Sequence, residues 1–302
     1  MTFADRLDPA LRHLAEARTD LSPALLGVVR DSLNQRRAET TRVVNDIGVE
    51  IENRVAHSVP VRIYRGAPAP APAVIYCHAG AFVLGNLDTD HLQCVEFARR
   101  GRCTVISVDY RLAPEHPYPA AFDDTLTVLN WACECATELG IDAARLAVAG
   151  SSAGGALAAG LAQQSAARLV FQLLHQPVLD DRPTDSKREF DATPGFDGPA
   201  AEMMWRHYLA DTNPSAPAVP GRAAELTGVP ATFISCSDMD PLRDEALDYA
   251  TRLMRAGIPT ELHVFAGTCH GFDSLLPEWS TSVQLFELQG AALRRALHGA
   301  GC

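Results

Sequence analysis

Short β-branched runs alternate with helix-period stretches along most of this chain. The runs fall at residues 43–51, 59–64, 73–77, 104–108, 146–149, 169–175, 231–236 and 261–265. Apolar positions spaced for helices fill 89–100, 120–139, 152–167, 241–256 and 280–297. Strands alternating with helices predict a mostly parallel sheet covered on both faces. No helical pattern separates the first runs, so the sheet is expected to begin with antiparallel strands. Two segments break the rhythm. Residues 1–40 read as helices without a strand, and 181–228 are rich in Pro, Asp and Gly around one helical patch at 199–209. Both are candidates for a lid over one end of the sheet.

Composition narrows the field. The chain has 302 residues, 47% apolar and 21% charged, as expected of a folded globular protein. Its net charge of −11 opposes nucleic-acid backbones and anionic membrane surfaces. The charge-free stretch 146–167 has a membrane span's length, but its four glycines, three serines and two glutamines predict a buried strand, turn and helix. Residues 1–20 carry charges throughout and lack the apolar centre of a signal peptide. The eight cysteines fit neither a zinc site nor a CxxC pair. Buried thiols in a cytoplasmic setting are expected, with no metal and no organic cofactor.

The strongest chemical signal is Gly150-Ser151-Ser152-Ala153-Gly154, between a strand and a small-residue helix. G-x-S-x-G in that setting is a nucleophile elbow, whose glycines let the serine stand clear of the sheet. A glycine-rich turn used only for packing would show the same five residues. Serine needs a base to become a useful nucleophile. Of ten histidines, His270 follows the strand run 261–265 and sits where α/β sheets place ligand chemistry. His175, at another strand end, is a weaker candidate. The base needs a carboxylate, and Asp238, Asp240 and Asp244 follow the run 231–236. Asp240 precedes Pro241, so helix capping alone would also explain it. After the run 73–77 come His78, Ala79, Gly80, Ala81 and Phe82. Small residues there let backbone N–H groups of Gly80 and Ala81, with Ala153 at the helix start, approach an oxyanion.

With these segments in view the chain resembles the hormone-sensitive-lipase-like carboxylesterases, bacterial family IV of the α/β hydrolases. The resemblance rests on His78–Ala81, on Asp109–Glu115, on the elbow at Ser152, on Asp240-Pro241-Leu242 and on His270-Gly271-Phe272. It implies an α/β-hydrolase fold with a mostly parallel eight-stranded sheet, helices on both faces and a helical cap. The catalytic part is then 41–180 with 229–302, and the cap is 1–40 with 181–228. It also implies Ser152, Asp240 and His270 as triad and Gly80, Ala81 and Ala153 as oxyanion donors.

The chain departs from the family pattern in two places. Ala79 and Ala81 replace the first and third glycines of His-Gly-Gly-Gly, and Ser151 replaces an aspartate before the nucleophile. The oxyanion hole is expected to survive if φ stays negative at the alanines. The run Tyr110–Glu115 is expected to brace the oxyanion segment.

The implied activity is hydrolysis of short- to medium-chain acyl esters through an acyl-enzyme, and the family's frequent dimers make a homodimer one candidate assembly, which the sequence itself does not fix. An amide or formamide hydrolase would use the same triad, and a binding module would have lost the base. Among the aromatic and Met residues of the cap, Phe190, Phe196 and Met203 are candidates for an apolar wall. Phe82, Met204 and Trp205 are the expected substrate contacts. Cys269, beside the base, is either a buried neighbour or an oxidation-sensitive thiol.

Overall fold

The computed structural model describes residues 3–165 and 167–299. Its strands are β1 (Glu50–Ala56), β2 (Val59–Arg65), β3 (Ala71–Cys77), β4 (Thr104–Val108), β5 (Ile141–Ser151), β6 (Leu169–His175), β7 (Ala231–Ser237) and β8 (Thr260–Phe265). They form one eight-stranded sheet in the order β1-β2-β4-β3-β5-β6-β7-β8. β2 runs antiparallel to both β1 and β4, and every other pairing is parallel. β3 and β4 are buried along their whole length. This is why β3 reads as an unbroken apolar run and not as an alternating one.

The helices are α1 (Phe3–Arg6), α2 (Leu26–Thr41), α3 (His91–Gly101), α4 (Ala120–Glu134), α5 (Ala136–Leu139), α6 (Ala153–Gln164), α7 (Asp185–Glu189), α8 (Gly198–Leu209), α9 (Arg243–Arg255), α10 (Phe272–Leu275) and α11 (Ser280–His298). Successive strand residues face opposite ways, and the two cores follow that alternation. Val74 and Tyr76 pack with Val95 and Phe97 of α3 and with Leu293 of α11. Ala73, Ile75 and Cys77 pack on the other side with α4, α6 and α9.

Three expected boundaries move. The first strand lies at Glu50–Ala56, not at 43–51, and Val43 and Ile47 are exposed. A two-residue turn at His57 and Ser58 sets Ala56 opposite Val59, so the strand can only run back from there to Glu50 opposite Arg65. The 120–139 helix breaks at Cys135, whose ψ of 18° ends α4 before α5. Residues 1–40 are less helical than expected. Besides α1 and α2 they hold one 3₁₀ turn at Arg12–Leu14, and 15–25 are irregular.

α7 and α8 lie between β6 and β7, and the N-terminal segment packs on them. Phe3 meets Phe190 edge-on, Arg6 pairs with Glu189 at 2.7 Å, and His207 Nε2 lies 2.8 Å from the Leu21 carbonyl. The chain's single lysine ties this insertion to the sheet. Lys187 Nζ, buried, contacts Glu245 Oε2 of α9 at 2.6 Å and donates to the carbonyls of Asp180 and Arg182. Burial pushes the Glu245 carboxyl up to about 7 against the pull of Lys187.

Removing one member of a buried pair leaves an uncompensated charge, at about 3–5 kcal/mol. Lys187→Ala is therefore expected to lose stability on that scale in urea unfolding. Lys187→Met with Glu245→Gln, which keeps an acceptor for the buried Leu179 N–H, is expected to recover most of it.

Candidate active site

The site is built around one strained turn. β5 ends at Ser151, and Ser152 takes φ 54° and ψ −118° before α6 begins at Ala153. That conformation is rare for a residue with a side chain, and it persists only where its surroundings fix it. Ser152 N–H donates to the His175 carbonyl at 2.9 Å, and the Ser152 carbonyl accepts from Gly155 and Val178. Both flanking glycines are sterically required. A Cβ at Gly150 would lie 2.1 Å from the Gly154 carbonyl oxygen, and one at Gly154 would lie 1.9 Å from that of Cys77.

Two further strand ends meet this turn. His270 follows β8, and its Nε2 lies 2.9 Å from Ser152 Oγ. Its Nδ1 lies 2.7 Å from Asp240 Oδ2, on the loop after β7. Asp240 accepts at Nδ1–H, which leaves Nε2 bare and able to take the serine proton. Asp240 is fully buried, and its other oxygen accepts the Leu242 N–H at 2.8 Å. The carboxylate thus both caps the turn into α9 and orients the imidazole. Of the other two aspartates, Asp244 bonds Ser186 and Arg243, and Asp238 makes no contact with His270. The pKa of His270 is raised. Burial would lower it, and the Asp240 carboxylate, with Asp273 farther off, outweighs burial.

The segment after β3 supplies backbone donors. Among the described residues the N–H groups of Gly80 and Ala81 donate to no other group, and Ala153 N–H is an orphan of the first turn of α6. Ala81 departs from the expected negative φ. It has φ 54°, followed by Phe82 at 59°. The geometry survives because the loop 110–115 and α2 brace it. Tyr110 stacks on His78 and its hydroxyl donates to the His78 carbonyl at 2.7 Å. Ala113 N–H donates to the Phe82 carbonyl, and Arg30 Nε donates to that of Val83.

Ser152, His270, Gly80 and Ala81 all line one cavity of about 460 Å³. The expected substrate contacts Phe82, Met204 and Trp205 do not. Phe82 is buried against Tyr208 with ring centroids 3.7 Å apart, and Met204 and Trp205 lie in the same core. Met204 and Trp205 follow the helix-spaced apolar pattern of α8 facing a core, and Phe82, in the turn after β3, packs into that same core. Phe190 is likewise buried, while Phe196 does line the cavity and its ring lies 5.0 Å from His270. The apolar wall comes instead from Leu21, Leu33, Leu84, Leu275 and Phe286.

Two groups near the base escaped the sequence reading. Gln176, at φ 44°, accepts the Gly271 N–H at 2.7 Å and donates to Ser237 Oγ and the Cys269 carbonyl. It therefore grips the chain on both sides of His270. Asp273 pairs with buried His175 at 3.0 Å, and His175 also bonds Ser235. The His175 side chain approaches the site only through this carboxylate, while its backbone carbonyl holds the Ser152 N–H. No motif marks Gln176, and only its place at a strand end beside Pro177 would have drawn attention to it. Cys269 is a buried neighbour. Burial pushes its thiol up to about 12, which keeps it protonated and unreactive. Cys302 lies outside the described residues. Among the described residues no group of ligands suits a metal ion, and no helix is long and apolar enough to cross a membrane.

Comparison with known proteins gives the same outline. A family model described as alpha/beta hydrolase fold matches residues 74–274. The esterase LipI of Mycobacterium tuberculosis is 35% identical, over 96% of this chain and all of that relative. The carboxylesterase NlhH of the same species is 34% identical, over 97% of each. The crystal structure of esterase LipW from Mycobacterium marinum superposes with a TM-score of 0.95 at 60% identity, covering 98% of this chain and 97% of that one.

The grip of Gln176 is testable. Gln176→Leu keeps the volume but removes the acceptor of the part-buried Gly271 N–H and a donor to the buried Ser237 Oγ, at about 1–3 kcal/mol per orphaned group. The expected outcome is a loss of about 2–3 kcal/mol in urea unfolding. An unchanged midpoint would show that the loop holds itself.

Proposed function

The chain belongs to the α/β hydrolases, among the hormone-sensitive-lipase-like carboxylesterases, and from that premise we propose that it is a serine carboxylesterase acting through an acyl-enzyme. The observation that carries this reading is the continuous hydrogen-bonded line Ser152–His270–Asp240 opening into a cavity beside two unpartnered backbone N–H groups. His270 takes the proton of Ser152 as Oγ attacks the ester carbonyl. Gly80, Ala81 and Ala153 hold the oxyanion. His270 then protonates the departing alcohol, and water attacks the acyl-enzyme through the same base. Asp240 stays ionised and steadies the imidazolium.

Residues 1–40 and 181–228 serve as the cap over the cavity. Its size suits short to medium acyl chains. The seven described cysteines are all free, which supports a cytoplasmic setting. β8 pairs only with β7, so the sheet offers an open edge to a second copy, and we include a homodimer in the reading.

Ser152→Ala is expected to lower kcat/KM for p-nitrophenyl butyrate by about 10⁴-fold or more while leaving the fold intact. Wild-type rates in that variant would end the proposal. A parallel series of anilides, hydrolysed faster than the matched esters, would move the reaction to amides.

The base must be neutral to accept a proton, and its pKa is raised. The acid limb of kcat/KM is therefore expected to have its midpoint above 6.5, the ordinary imidazole value. Asp273→Asn removes one of the carboxylates that raise it, so the limb should move to lower pH. A limb unmoved in that variant would show that Asp273 contributes nothing beside Asp240 and the more distant Glu245.

A further inference from the structure

One wall of the cavity that holds Ser152 is not apolar. α2 contributes Arg36, Arg37, Thr40 and Thr41 to it. Asn34, Arg37 and Thr41 recur at three- and four-residue spacing, so they share one face of this helix. Each carries a buried polar atom with no hydrogen-bond partner among the described residues: Asn34 Oδ1, Arg37 Nη1 and Thr41 Oγ1. Buried polar atoms in folded proteins are nearly always paired. Arg37 and Thr41 line the cavity and Asn34 does not, so the Arg37 Nη1 and Thr41 Oγ1 orphans mark a place where a polar ligand group would complete the bonding.

The charge inventory says which kind. The acidic residues of the cavity already have donors. Asp88 pairs with Arg62 at 2.7 Å, Asp273 pairs with His175, and Asp90 accepts from the Tyr76 hydroxyl and the Ala79 N–H. Arg30, on the same helix, is held by Glu115. Among the described residues Arg36 and Arg37 have no such carboxylate within hydrogen-bonding reach. The Asp90 charge reaches Arg37 only through space, and burial still pulls the guanidinium below its ordinary value. Guanidinium offers only donors, in a planar fork that matches a carboxylate. Inside a cavity such a contact is screened far less than on the surface.

We propose that the α2 wall, centred on Arg37 with Arg36 and Thr41, is a carboxylate subsite, and that the preferred substrates are esters bearing a free carboxylate away from the scissile bond. This rests on the esterase reading and names its substrate class. The contact would be made in the ground state as well as the transition state, so its loss should appear in KM more than in kcat.

Four substrates test it: p-nitrophenyl valerate against mono-p-nitrophenyl glutarate, and phenyl butyrate against 4-carboxyphenyl butyrate. The first pair puts the carboxylate on the acyl side, the second on the alcohol side. The wild-type protein is expected to favour one carboxylate ester over its neutral partner. In Arg37→Met that preference should fall at least tenfold, through KM, and Arg37→Lys should restore part of it. Wild-type protein that hydrolyses both neutral esters and handles both carboxylate esters more poorly would overturn the inference without any variant. So would a preference that is the same in Arg37→Met. If none of the four is hydrolysed, the esterase reading itself fails, and this inference with it.

Discussion

The Ser152 backbone is the constraint on which the rest of the site depends. Its positive φ costs of order 1–3 kcal/mol, and nothing in the residue itself repays this. The surroundings hold it by hydrogen bonding both its N–H and its carbonyl, with β6 and the chain after it as partners. Gly150 and Gly154 then follow of necessity, because α6 turns back so closely that its first turn touches the end of β3. A strand that ended one residue later would put Ser152 into the sheet, where neither His270 nor the Gly80–Ala81 segment would reach it. The parallel order of β3, β5, β6, β7 and β8 brings their carboxyl ends to one edge. Every polar group of the site stands at that edge.

Electrostatic compensation holds the base in its place. An imidazole buried this deeply would ordinarily be kept neutral, and nearby carboxylates offset that tendency, Asp240 by contact and Asp273 and Glu245 from farther off. Asp240 bonds it directly, while Asp273 is occupied by His175 and acts across space. Asp240 in turn is tied down by the Leu242 N–H, so its orientation does not depend on the histidine. Gln176 adds the geometric half by bonding the residues before and after His270. The base is therefore fixed by its neighbours in the chain as well as by its own ring.

The strand–helix alternation was legible because both sides of a covered parallel sheet leave strong apolar runs, and seven of the eight strands lie where those runs lie. β1 did not, because its position is decided by the turn at His57 and by pairing with β2. The apolar residues at 43–49 only resemble a strand's pattern. The positions of Ser152, Asp240 and His270 at strand ends could be read because each needs a specific residue type in a specific local setting. Phe82, Met204 and Trp205 could not be placed from sequence, because a large apolar side chain looks the same whether it meets a core or a ligand. Gln176 and the α2 arginines were invisible for a different reason. Their meaning lies in contacts with segments more than thirty residues away, and no local pattern encodes such contacts.

The departures from the family pattern make physical sense in this light. Of the three small residues after His78, only the one at 80 is still glycine. It has φ 139°, and a Cβ there would strike the Leu84 carbonyl oxygen at 2.0 Å. Ala79 has no positive φ, so a methyl costs nothing in backbone terms. Ala81 does, at about 1–2 kcal/mol for a residue with a Cβ in that region. The cost is borne by the bonds from Ala113, Arg30 and Tyr110 that clamp the segment from outside. Ser151 fits the same logic on the electrostatic side. It lines the cavity next to a base already under the pull of several carboxylates, and one more negative charge there would raise the imidazole further and leave less of it neutral at a given pH. A neutral residue before the nucleophile keeps the base available, and it also leaves the cavity without one more negative charge opposite the unpaired arginines of α2.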